Sequence, residues 1–238
     1  MISICIATYN GANFIIDQLN SVIPQLNKND EIIIVDDCSG DDTVKIIKEI
    51  YGEKVQLYIN DKNMGTIKSF EKAISKANGD IIFLCDQDDI WQSDKVKKVL
   101  ENFNSPETWL VVHDAYVLDG NLKKIEESWN IYNGNKKQGI IGNIIKNSFT
   151  GACMAFKKEL LNEILPFPEE IEMHDQWIGL VCLLYKKNIS YIDEPLMNYI
   201  RHGENVTGIK KRSKLTILKG RLNTIKAVIN YNLLDKMK

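Results

Sequence analysis

"DIIFLCDQDD" (residues 80–89) reads as a buried strand that runs straight into acid. Ile81, Ile82, Phe83, Leu84 and Cys85 are continuously apolar. Asp86, Asp88 and Asp89 follow within four positions, and Trp91 comes two residues after them. A short, unbroken apolar run suits a parallel strand covered on both faces. Carboxylates a few ångströms apart at the mouth of such a strand repel one another, and desolvation strengthens the repulsion. The arrangement therefore predicts a positive partner. A divalent cation with a preference for oxygen, Mg²⁺ or Mn²⁺, would take Asp88 and Asp86 as ligands. The alternative is a solvated turn that merely carries acids.

Outward from this stretch the same rhythm repeats. "ISICIA" (2–7), "EIIIVD" (31–36), "VQLYIN" (55–60) and "WLVVHD" (109–114) are each about one strand long. Between them, residues 12–26 place Phe14, Ile15, Leu19, Val22, Ile23 and Leu26 at helical spacing, and residues 65–78 do likewise with Ile67, Phe70, Ala73, Ile74 and Ala77. Asp42-Thr43 opens a third helix and Ser93-Asp94 is expected to cap a fourth. Repeated strand–helix units predict an α/β fold, a Rossmann-like, mostly parallel sheet flanked by helices. Ligands in such sheets bind outside the carboxyl ends of the strands. There the sequence places "TYN" (8–10), "DDCS" (36–39), "NMG" (63–65) and "DQDD" (86–89), so one edge collects four polar clusters.

From about residue 115 the rhythm is lost. Gly- and Asn-rich connections (133–143), a strand "GACMAF" (151–156), a helix from "HDQW" (174–177) and a strand "ISYID" (189–193) are expected. The tail from Ile209 to Lys238 carries nine Lys or Arg and one acid, Asp235, giving +8, against −10 for the preceding 208 residues. Leu215, Leu218, Leu222, Ile225 and Ile229 stand in it at helical spacing. A basic amphipathic helix of this kind suits peripheral contact with an anionic membrane; a homodimer contact and docking on its own domain are the alternatives. The five cysteines show no CxxC or metal-type spacing, the pattern of a reduced, cytoplasmic protein. No signal peptide or bilayer-length apolar run is present. The Asn188–Ser190 and Asn205–Thr207 sequons are then accidental, and no nucleic-acid partner is expected.

Two absences narrow the chemistry. The chain lacks GxxxxGK[ST] and has no GxGxxG after the first strand. A phosphate site must then rely on a metal and on basic side chains such as Lys68, Arg201 and His202, each of which could equally be a surface charge. In "VDDCSGDDT" (35–43), Asp37 could accept from a pyrimidine N–H, or with its neighbours satisfy turn amides; for Asp41 and Asp42 the turn reading is favoured.

These motifs in this order, "ISICIATYNG", "IIIVDDCSGDDT", "NMG", "IIFLCDQDDIW" and an Asp early in a late helix, resemble family 2 glycosyltransferases with the GT-A fold. "CDQDDIW", "GACMAF" and "YIRHGENVTG" are most similar to bacterial rhamnosyltransferases of surface polysaccharide synthesis. The resemblance covers residues 1–208, leaving 209–238 as the helical tail. It implies a nucleotide-sugar-binding half (1–114) and an acceptor-side half (115–208). Thr8, Tyr9, Asp37, Asn63, Asp86 and Gln87 would face the nucleotide, Asp88 and Asp86 the metal, and His202 and Arg201 the diphosphate. In "YIRH" the Arg stands one place later than in the family's YRxH. Asp175 matches the catalytic base, where spacing alone would equally allow a helix N-cap. Trp91, His174 and Trp177 are the acceptor candidates; Trp129 reads as core or loop. The implied reaction is inverting, metal-dependent transfer from a nucleotide diphosphate sugar, dTDP-rhamnose or a UDP-sugar, to a glycan or lipid-linked glycan. An Asp-x-Asp after a strand also occurs in Mg²⁺-dependent phosphatases and phosphotransferases. That alternative fits poorly, because the acidic pair comes late and "VVHD" lacks a Ser/Thr partner. A non-catalytic nucleotide-sugar-binding module is the third reading.

Overall fold

The computed structural model describes residues 1–202 and 213–235. The expected boundary at 208/209, the Asn205–Thr207 sequon and the ends of the tail lie outside the described residues. In chain order the elements are β1 (Ile2–Thr8), α1 (Ile15–Val22), β2 (Glu31–Asp36), α2 (Thr43–Ile46), β3 (Gln56–Ile59), α3 (Thr66–Ser75), β4 (Ile81–Asp86), β5 (Ile90–Trp91), α4 (Lys95–Asn102), β6 (Thr108–Asp119), β7 (Lys124–Glu126), α5 (Trp129–Asn133), α6 (Ile140–Ile145), β8 (Met154–Lys157), α7 (Leu161–Ile164), α8 (His174–Leu184), β9 (Asn188–Arg201) and α9 (Lys214–Asp235).

One sheet runs in the order β3-β2-β1-β4-β8-β6-β9-β5, with β7 paired on β6. The block β3-β2-β1-β4 is parallel. β8 then enters antiparallel between β4 and β6, and β6 and β9 run parallel to each other. β6 passes through residue 114, so both halves of the chain share this sheet. Its two faces are covered by separate apolar clusters. Ile4, Ile6, Ile34 and Phe83 face α1 on one side, and Cys5, Ile33, Val35 and Leu84 face α3 on the other. Alternation of side chains along each strand explains the split. Each fully buried Ile, Leu or Phe in these clusters contributes about 1.5–3 kcal/mol through lost apolar exposure.

Several boundaries differ from the sequence expectation for local reasons. α1 starts at Ile15 and gives way to a 3-10 turn at Ile23–Gln25, because Pro24 has no amide to continue the α-helical ladder. Asp94 stands at the start of α4, but its carboxylate pairs with Lys98 at 2.7 Å and caps no backbone amide. "GACMAF" divides into a 3-10 turn (Gly151–Cys153) and the short β8. β9 is 14 residues long and extends the expected "ISYID" strand to Arg201. The Asn-rich region yields the short helices α5 and α6.

The tail helix α9 packs on α6, and its Thr224 hydroxyl donates to Gln176 of α8; Gly220, Thr224, Ala227 and Val228 are buried. Lys226 pairs with Glu170 at 2.9 Å. No described helix is long and apolar enough to cross a membrane.

Gly79, which leads into β4, allows close backbone approach. A Cβ there would lie 2.5 Å from the Ile2 carbonyl carbon and the Ser3 amide nitrogen. Backbone cannot rotate out of the way, so Gly79→Ala is expected to lower unfolding stability by roughly 2 kcal/mol. Urea denaturation measures it; an unchanged midpoint would show that the β1 end of the sheet is free to shift.

Candidate active site

The carboxyl edge of the parallel block gathers the polar clusters, and their carboxylates fall into two kinds. The first kind is saturated with donors and fixes the loops. Asp36, fully buried, accepts from the Thr8 hydroxyl at 2.9 Å and from the Ser39 amide at 2.9 Å. Asp37 accepts from Asn60 Nδ2 (2.8 Å), the Met64 amide (2.8 Å) and the Gly65 amide (2.7 Å). It thereby holds the loop carrying exposed Asn63 beside the edge, with Gly65 at φ +85° where a side chain would be strained. Asp41 accepts from the Ala12 and Thr43 amides, at 3.0 Å each. Burial alone would raise its pKa, yet these bonds hold it below the usual value. Asp42 makes no side-chain cap.

The second kind is crowded with like charge. Asp86, Asp88 and Asp89 each offer an oxygen, and these atoms lie within 4.8 Å of one another. Burial, the charges of Asp88 and Asp175, push Asp86 up to about 7. Asp89 is buried; its Oδ1 accepts from the Ile200 amide at 3.3 Å, and its Oδ2 is buried with no hydrogen-bond partner. Burial and the two neighbouring acids raise its pKa well above the carboxylate range. An orphaned buried oxygen among three crowded acids is a donor set suited to a hard divalent cation. Asp88, Asp86 and Asp89 would hold it.

Two further residues, one unexpected, surround this cluster. Lys95 is fully buried and sits beneath it. Its ammonium donates to the Ala152 carbonyl at 2.8 Å and lies 3.9 Å from the Trp91 ring centroid. Burial lowers its pKa to about 8, while the charges of Asp89 and Asp86 act the other way. The sequence signal was available: Lys95, Val96 and Val99 form the inward face of α4, although "SDKVKK" reads as a surface. His202 closes the cluster from the far side. Its Nε2 donates to Asp88 Oδ2 at 2.8 Å, and its ring stacks on Phe14 at 4.4 Å. Arg201 turns elsewhere, its guanidinium 5.9 Å from the Tyr132 ring centroid.

Asp175 stands in the first turn of α8, 5% exposed. Asn147 Nδ2 (3.0 Å) and the Gln176 amide (2.6 Å) donate to one oxygen, the Gly151 amide (3.1 Å) to the other. Burial raises its pKa to about 6 against the pull of these bonds. Its charge is felt at Asp86, where it adds to the upward shift. Asn147 and Gly151 were not singled out from sequence, since only the tertiary fold brings their loop to α8. Gly151 fits because a Cβ would lie 2.8 Å from His174 Nε2. His174 stacks on Phe70 at 4.3 Å, with Nε2 buried and unpartnered, and burial lowers its pKa to about 4.

The remaining candidates divide. Thr8 is buried and bonded to Asp36, whereas Tyr9 is 47% exposed at the rim. Gln87 accepts from the Tyr9 amide at 2.8 Å and donates to its carbonyl at 3.1 Å, clamping the first loop to the acidic one. Gly11 makes room for it, as a Cβ would lie 2.3 Å from Gln87 Oε1. Trp91 and Trp177 are corrected: at 4% and 1% exposure both are core, and neither ring presents a face to a sugar. Trp91 packs near Phe83, and Trp177 donates from Nε1 to the Ile164 carbonyl. Trp129 is core too, stacked on Tyr199.

Residues 3–165 match the Glycosyl transferase family 2 profile. The chain belongs to glycosyl transferase family 2. It is 30% identical over 220 residues to a dTDP-rhamnosyl transferase of Shigella flexneri, covering 85% of this chain and 73% of that one. It is 27% identical to an uncharacterized glycosyltransferase of Nostoc sp., over 86% of this chain but 66% of that protein's length. S. aureus TarS, solved with UDP-GlcNAc, shares the fold with a TM-score of 0.73 at 20% identity, over 94% of this chain and 65% of that chain. A mannosyltransferase of Pyrobaculum calidifontis, solved with GDP-Man and Mn²⁺, gives 0.62 at 18% identity, over all of this chain and 64% of that one.

Removing the ammonium beneath the acids should be costly. Lys95→Met is expected to destabilise the fold by about 3 kcal/mol at pH 7 and by less at pH 5, where Asp86 is protonated. Equilibrium unfolding at the two pH values measures this; an equal cost at both would mean that Lys95 acts through Ala152 alone.

Proposed function

We propose that the chain transfers a sugar, with inversion, from a nucleoside diphosphate donor to an acceptor hydroxyl. The observation that carries this reading is a buried carboxylate, Asp175, raised to about 6 and electrostatically coupled to Asp86 of an acidic cluster suited to a cation. In the reaction the acceptor oxygen bonds the anomeric carbon, the bond from that carbon to the diphosphate breaks, and the hydroxyl proton passes to Asp175. A base with a pKa near the working pH suits that role, and Asn147, Gln176 and Gly151 orient it. An inverting transfer needs one such base, not the two catalytic carboxyls of retaining hydrolases. A divalent cation held by Asp88, Asp86 and Asp89 would neutralise charge growing on the leaving diphosphate.

In this reading Tyr9, Asp37 and Asn63 bound the nucleobase pocket, with Thr8 supporting it through Asp36. Gln87 fixes the pocket's edge, and His202 delivers an imidazole to the diphosphate side. Residues 1–114 serve the donor and 115–208 the acceptor. The Shigella relative's name favours dTDP-rhamnose as donor, and the UDP-GlcNAc of the TarS structure keeps a UDP-sugar as the second choice. The Mn²⁺ of the Pyrobaculum enzyme supports metal dependence. The phosphotransferase alternative gains no support from these relatives.

Asp175→Asn should lower turnover by about a hundred- to ten-thousandfold while calorimetric affinity for the donor diphosphate stays within a factor of two or so. Turnover that survives would remove Asp175 from the role. In the parent protein kcat/KM should rise with pH through an apparent pKa near 6, because only the deprotonated carboxylate accepts the proton. A profile flat between pH 5 and 7 contradicts the assignment. Titration of dTDP, UDP and GDP with and without Mn²⁺ names the base; Asp88→Ala is expected to erase the metal-dependent part of binding.

A further inference from the structure

The face that α9 docks is not its apolar one. Gly220, Thr224, Ala227 and Val228 are buried, Thr224 bonds Gln176, and Tyr231 bonds Tyr185. Leu215, Leu218, Leu222, Ile225 and Ile229 point away, at 79%, 53%, 57%, 37% and 53% exposure. At 3.6 residues per turn these five fall within a sector of about 80°. Basic residues line both edges of it, within roughly 40°: Lys219 and Lys226 on one side, Lys214 and Arg221 on the other. The patch continues onto α6, where Ile141 and Ile145 are 75% and 54% exposed. The Arg221 guanidinium joins the two helices by donating to the Ile145 carbonyl at 2.9 Å.

We infer that this face is a membrane-contact surface: α9 lies along an anionic bilayer, its Leu and Ile side chains in the acyl boundary and its Lys214 and Lys219 side chains among the lipid phosphates. A helix with a continuous apolar stripe bordered by Lys and Arg binds in this way through apolar burial and attraction to anionic headgroups together. Long basic side chains reach the headgroup level while their stems cover apolar surface.

A second copy of the chain fits less well. The 3-4-3-4 spacing of the stripe would form a two-stranded coiled-coil seam. Lys219, Arg221 and Lys226 border that seam, however, so either a parallel or an antiparallel pair would set like charges against each other. Residues 209–238 hold nine basic side chains and a single acid, and supply no acidic complement. An anionic surface does. Since α9 touches α8 through Thr224 on Gln176 and Tyr231 on Trp177, and the first turn of α8 carries Asp175, a bilayer on the outer face of α9 lies on the acceptor half of the molecule. This inference is read from exposure and charge, and does not depend on the transfer reaction.

Co-sedimentation of the full chain with vesicles tests it, using phosphatidylcholine alone and an equal mixture with phosphatidylglycerol. The protein should pellet with the anionic vesicles and stay largely in solution with the neutral ones. Leu218→Gln/Leu222→Gln should reduce partitioning by about tenfold or more, since two side chains lose their apolar burial. Lys219→Ala should weaken it several-fold. All three side chains are exposed, so circular dichroism should be unchanged. Folded protein that ignores anionic vesicles, or binding that the double variant leaves intact, overturns the proposal. So does a lipid-free dimer in sedimentation velocity that the double variant dissolves, which would make the face a contact between copies.

Discussion

Charge crowding at the end of β4 is the constraint that organises this molecule. Three carboxylates share a space under 5 Å across in a place that folding has largely dried. Coulomb repulsion there is several times what it would be in water. The fold answers from below with the Lys95 ammonium, buried without a carboxylate in direct contact and steadied by a carbonyl and an indole face. It answers from the side with His202 on Asp88. Neither gives the cluster enough donors, which leaves Asp89 Oδ2 bare and Asp86 poised near neutrality.

The acids on the neighbouring loops show how deliberate that shortage is. Asp36 and Asp37 stand at the same sheet edge and are buried, and Asp41 lies exposed on the loop beside them; each accepts two or more N–H or O–H groups. They behave as struts between β1, β2 and the loop before α3. The same residue type therefore does two opposite jobs within one edge, and the number of backbone amides aimed at each carboxylate separates them. Asp175 stands between the two. Three donors hold it in place, while burial raises its proton affinity against their pull.

Much of this was legible in the sequence. The apolar runs gave β1, β2 and β4 almost to the residue, because a strand covered on both faces has to be continuously hydrophobic; the edge strand β3 came out within a residue at each end although none of its residues is buried. The acidic cluster was visible because so many acids rarely follow such a run. Asp175, by contrast, could not be told from a helix cap by spacing, and the family resemblance singled it out. The tryptophans misled because position beside a site residue in the chain says nothing about which face of a strand or helix a ring occupies; Trp91 and Trp177 both point inward. Lys95 was missed since a lysine in a Lys-rich helix looks solvated until the tertiary fold closes over it. The docked face of α9 was hidden for a similar reason. Small residues, not the leucines, make the contact, and hydrophobicity alone points to the wrong side.

The two-residue strand β5 follows the acids directly, and it pairs with β9 through Ile90–Asn198 and Trp91–Met197. β9 runs on to Arg201 and delivers His202. The acidic turn is thus strung between β4 and β5, and its closing imidazole hangs from the strand that β5 is bonded to. The seat is part of the hydrogen-bonded ladder, so its conformational entropy was already given up when the sheet formed. A cation held there would find the oxygens in place and have little ordering to do. By the same linkage, whatever settles there reinforces the sheet margin that built it.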